Sequence, residues 1–132
     1  MNTKALMVAS AFFLGIIGMA MSFLPSEIAI YMGIDTNAIS ILFLQLFGSL
    51  FLGFGILNWM AKNNLIGGIY SRPLTIANLM HFGTGAIALF KLAIKIQTHF
   101  EIILALTLLY SIFALCFAYI FITNPSKINN PI

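Results

Sequence analysis

Four stretches of the chain, 5–24, 36–61, 73–90 and 102–124, contain no Asp, Glu, Lys or Arg. A helix needs ~20 apolar residues, at ~1.5 Å each, to cross a hydrocarbon core of ~30 Å. Each stretch approaches or passes that length, so the sequence predicts four transmembrane helices, at about 5–24, 39–60, 73–94 and 101–122. The composition agrees, with 61% hydrophobic and 7% charged residues against ~45–50% and ~25% in soluble globular domains. The spans consume most of the chain and leave only short loops, which predicts a single membrane domain over 1–132. The expected fold class is all-α: a polytopic membrane protein built as an antiparallel four-transmembrane-helix bundle, with a short interfacial helix between the first and second spans.

The net charge of +3 does not point to nucleic acid, because the six basic residues are scattered and form no patch. Their placement speaks to topology instead. Lys4, Lys62, Arg72 and Lys127 flank the N-terminus, the second loop and the C-terminus, which four spans put on one side. Lys91 and Lys95 lie toward the third loop, and the first loop carries Glu27 and Asp35 but no base. The positive-inside rule then places both termini in the cytoplasm, in a bacterial-type inner membrane. The first span has the early Lys4 and small residues Ala20 and Ser22, but its apolar run exceeds the ~7–15 residues of a signal peptide, so it reads as a retained anchor.

Local signals refine the plan. Pro25 biases Leu24 away from helix and should end the first span. The following "SEIAIYMGID" reads as the short interfacial helix, with Ser26 as its cap, Tyr31 near headgroup level and Gly33 as its stop. In the second span, spacings of three and four put Gln45, Gly48, Ser49, Leu52, Gly55 and Trp59 along one side, which is expected to face other helices. Pro73 suits the first position of the third span. The fourth span carries Thr107, Ser111 and Cys116, and the tail "TNPSKINNPI" should be frayed.

The third span holds the most unusual group. His81 lies eight residues beyond Pro73, about 12 Å deep and near the middle of the bilayer. Thr75, Asn78, His81 and Thr84 follow at intervals of three. An ionisable residue at that depth should face protein or water, and it marks either a pathway or an interhelical hydrogen bond. Matching depths across the second and third spans predicts a polar seam of Gln45, Ser49, Asn58, Asn78 and His81, for which structural glue is the commoner use. Trp59, Tyr70 and Arg72 form an interfacial anchor set that can also meet a lipid headgroup.

Several chemistries lack their parts. One cysteine, Cys116, excludes an internal disulfide and a CxxC pair. His81, His99 and Cys116 lack zinc-site spacing, and no phosphate loop or Ser, His and acid set is present. No span carries the carboxylate expected of a small proton-coupled exporter. The sequence therefore predicts a non-enzymatic protein with no metal and no cofactor. Its expected role is that of a helper or binding protein, whose seam contacts a partner helix, in a homo-oligomer or another membrane protein, or an apolar ligand such as a lipid or quinone. The alternative is a small transporter or channel with His81 titrating near mid-membrane, between about pH 5 and 8.

A first span ending in proline, a short amphipathic first loop and a glycine-studded "LFGSLFLGFGILNW" together resemble the DoxX-like small membrane proteins. The resemblance covers the four-span plan over most of the chain. It implies an antiparallel four-helix bundle, in a group associated with accessory subunits and with quinone or sulfur metabolism. The chain departs from that pattern where it has Gln45, since an arginine is expected near the start of the second span.

Overall fold

The computed structural model describes residues 2–64, 66 and 68–123. Among them are five α-helices, a 3-10 turn and no strand. The helices are α1 (Thr3–Phe23), α2 (Pro25–Met32), α3 (Ala38–Ala61), α4 (Arg72–Ala93) and α5 (Phe100–Thr123), and the turn Ile69–Ser71 leads into α4. α1, α3, α5 and α4 with its preceding turn are long and apolar enough to cross a membrane. The four expected spans are therefore present, each end within one or two residues of its expected position. The expectations for Lys127 and for the tail beyond Thr123 lie outside the described residues.

Side chains and backbone turns set the boundaries. Asn2 starts α1 by accepting the Ala5 N–H at 3.1 Å, and Asn37 starts α3 by accepting the Ser40 N–H at 2.9 Å. Each occupies one of the donors that a helix start leaves without an internal partner. α1 closes where the Leu24 N–H reaches the Ala20 carbonyl at 2.8 Å. α2 then differs from expectation at its first residues: Leu24, not Ser26, is the cap, it makes no side-chain capping bond, and Pro25 opens the helix. A proline without an N–H loses nothing at that position, so Ser26 is displaced into the first turn. Gly33 ends α2 as expected, in a left-handed conformation with φ of 68°.

The chain forms two compact units, one over Asn2–Asn63 and the other from Asn64 onward. In the first, α1 and α3 run antiparallel, and α2 packs against both. Their backbones meet where glycine faces glycine. A Cβ added at Gly18 would lie 2.6 Å from the Leu52 nitrogen and 2.8 Å from the Gly48 oxygen, and one added at Gly48 would lie 2.7 Å from the Ser22 nitrogen. Small residues permit this approach, which maximises dispersion contact where lipid supplies no hydrophobic force between helices.

The second unit pairs α4 with α5 by a different device. Phe82 is fully buried and stacks on Phe113 and Phe117, with ring centres 4.7 and 5.8 Å apart, while Tyr110 meets it edge-on at 5.3 Å. Between these helices the chain passes through His99, whose φ is 57° and whose carbonyl accepts the Ile103 N–H at the start of α5. Outward faces of both units are apolar: Phe23 is 77% and Ile122 78% exposed. Such side chains suit lipid as solvent, which makes the chain a multi-pass membrane protein.

Replacing Gly18 by Ala should force backbone apart and cost about 2 kcal/mol, the usual scale of overpacking. Gly15→Ala, whose Cβ would meet nothing within 4 Å, should change stability by less than about 0.5 kcal/mol. Reversible unfolding of both variants in mixed detergent micelles measures the difference.

Candidate functional site

The first unit buries one hydrogen-bonded polar pair. Asn58, one turn before the end of α3, donates from Nδ2 to Ser10 Oγ at 3.0 Å, and Ser10 in turn donates to the Met7 carbonyl at 3.1 Å. Both side chains are fully buried. The sequence singled out Asn58 but missed Ser10. Its signal was available, because adjacent antiparallel spans bring the start of α1 level with the end of α3.

The side of α3 that was expected to carry six residues divides in the structure. Gly48 and Gly55 are buried and meet the α1 backbone, Leu52 is half-buried, and Gln45, Ser49 and Trp59 are exposed; Asn58, outside that set, is buried as well. Ser49 donates to its own Leu46 carbonyl at 2.8 Å. Gly53, four residues further along the helix, has open space where a Cβ would stand. Gln45, Ser49 and Gly53 thus follow one another at intervals of four, and Ser49 and Gly53 lie on a shallow concave face bordered by Leu46, Leu50 and Leu57.

In the second unit the polar stripe of α4 is engaged with its own helix. Thr75 donates to the Ser71 carbonyl at 3.1 Å, Asn78 to the Leu74 carbonyl at 3.0 Å, and Thr84 to the Met80 carbonyl at 2.6 Å. Thr75 and Asn78 are fully buried. His81 is half-buried, with its ring centre 5.0 Å from Phe82 and 5.7 Å from Tyr110 of α5. Tyr110 is a second residue that sequence reasoning missed. Tyrosines gather at membrane interfaces, so one in the middle of a span was itself a signal. Gly85 makes room for it: a Cβ there would lie 2.5 Å from the Tyr110 ring.

The five residues of the expected seam therefore fall in both units, with Gln45, Ser49 and Asn58 in the first and Asn78 and His81 in the second. The anchor residues divide likewise. Trp59 meets Phe12 edge-on at 5.6 Å, and the Lys62 ammonium lies 3.0 Å above the Trp59 ring. Tyr70 is fully exposed, and the Arg72 guanidinium lies 5.6 Å from the Phe121 ring, within cation–π range. Among the described residues no three His, Cys, Asp or Glu side chains come together. The chemistry that these groups offer is neutral hydrogen bonding, aromatic contact and, at the ends of α3 and α4, fixed positive charge.

A double-mutant cycle on Ser10→Ala and Asn58→Ala should give a coupling of about 1 kcal/mol, within the range measured for interhelical bonds in membranes. Unfolding of the four proteins in bicelles supplies the measurement.

Comparison of the chain with family models, with curated proteins and with solved structures finds no match.

Proposed function

We propose that the protein is a non-enzymatic helper or binding protein of a bacterial-type inner membrane, with both termini cytoplasmic, and that the open face of α3 receives a partner's transmembrane helix. The observation that carries this reading is the line of Gln45, Ser49 and Gly53, exposed or open at intervals of four. Small residues at that spacing let a second backbone approach closely, as Gly18 and Gly48 do inside the first unit. Gln45 adds an amide, which in hydrocarbon gains from a donor or acceptor on a neighbour.

The line holds no acid or base to activate the Ser49 hydroxyl, which donates to the Leu46 carbonyl, so the face suits recognition better than reaction. Asn58 acts in this reading as interior glue, bonding Ser10 across helices, while Asn78 bonds the Leu74 carbonyl within α4. The DoxX-like layout favours the same role, since that group is associated with accessory subunits.

Cysteines placed at Ser49 and Gly53, in a Cys116→Ala background, should crosslink in native membranes to give a species heavier than the monomer. A cysteine at Leu115, an exposed position of α5, should give much less. Ser49→Leu together with Gly53→Leu should weaken the association about tenfold. Equal crosslinking at all three positions removes the proposal.

A further inference from the structure

The first unit carries a groove between α1 and α3 that is separate from the line of Gln45, Ser49 and Gly53. It has a volume of about 250 Å³ and is lined by Ala11, Gly15, Leu52, Gly55 and Ile56, with Phe12 and Trp59 at one end. It exists because Gly15 has no side chain, since a Cβ there would meet nothing within 4 Å. Its volume is below the ~300–1,000 Å³ typical of pockets for compact organic ligands. A narrow apolar trough open along its side fits a linear hydrocarbon chain better than a ring system.

Charge at one end of the groove identifies the rest of the occupant. Lys62, at the C-cap of α3, follows Trp59 by three residues and Gly55 by seven, and both of those line the groove. Its ammonium is held over the Trp59 ring at 3.0 Å. On α1, Lys4 precedes Ala11 by seven residues and shares its face. The helices are antiparallel, as the Ser10 to Asn58 bond requires. Lys4 and Lys62 therefore stand at the same end, beyond Phe12 and Trp59. The acids of this unit, Glu27 and Asp35, lie in α2 and the loop after it, at the opposite end of α1.

We propose that this groove is a binding site for one anionic glycerophospholipid, with an acyl chain along Gly15 and Gly55 and the headgroup phosphate held by Lys4 and Lys62. The apolar trough and the paired cations match the two parts of such a lipid in order and in depth. A phosphate draws the Lys62 ammonium into a charge-assisted bond while the aromatic face of Trp59 still shields it. The proposal does not depend on a partner helix at α3.

Trp59 is the chain's single tryptophan and lines the groove, so its fluorescence reports the occupant. The full-length protein is placed in vesicles of fixed phosphatidylglycerol and phosphatidylcholine content, with the acyl chains of one or the other lipid dibrominated. Contact with bromine quenches the indole. Brominated phosphatidylglycerol should quench at a lower mole fraction, and Lys4→Gln and Lys62→Gln should each reduce the preference about fivefold, the scale of one basic residue at a membrane surface. Gly15→Leu fills the trough, leaves both lysines in place and should abolish the preference. Equal quenching by the two lipids in the unaltered protein overturns the proposal. So does a preference that survives Gly15→Leu, which would reduce the effect to general attraction of anionic lipid by the lysines.

Discussion

Lipid does not press helices together, because the tails are as apolar as the side chains they would surround. A protein of this composition must therefore hold its spans by fit. The two units meet that constraint in opposite ways. In the first, side chains are removed from the contact, so that Gly18 and Gly48 bring backbone against backbone. In the second, large rings interlock, with Phe82 seated among Tyr110, Phe113 and Phe117. The first solution draws on many short dispersion contacts along the helices, and the second on a few extended ring faces.

Polar residues follow from the same constraint. In hydrocarbon a hydroxyl or amide without a partner is costly, and the nearest acceptor is a carbonyl one turn back on the same helix. Thr75, Asn78, Thr84, Thr107 and Ser111 all take that course. Ser10 takes it too, donating to the Met7 carbonyl, and its oxygen also accepts from Asn58 across the helices, which gives the contact between α1 and α3 a polar element.

The spans were legible because the absence of charge is a local property that needs no knowledge of neighbours. So was Gly33 as a stop, since a left-handed turn is a demand on a single residue. Ser26 as a cap was misread because Pro25 beside it already occupied the helix start. The sides of α3 were legible only in part. That helix is apolar all round, so residue spacing gives candidate stripes and no polar face to orient them. Gly48 and Gly55 turned inward, while Gln45 and Ser49 stayed exposed. Ser10 and Tyr110 each left a signal, a hydroxyl level with Asn58 and a tyrosine in mid-span, but the partner each meets depends on which helices pair, and pairing is a tertiary fact.

The bond between Ser10 and Asn58 also sets an order of events. Its two residues are 48 positions apart, and chains are extended at roughly 5–20 residues per second. For several seconds during synthesis, α1 exists without the amide that its interior serine will meet. Its hydroxyl can spend that interval on the Met7 carbonyl, a partner within its own helix. The Met7 carbonyl is thus a partner within reach of the unfinished chain as well as of the finished one, and it spares the first span a hydroxyl without an acceptor before the helix that completes the contact.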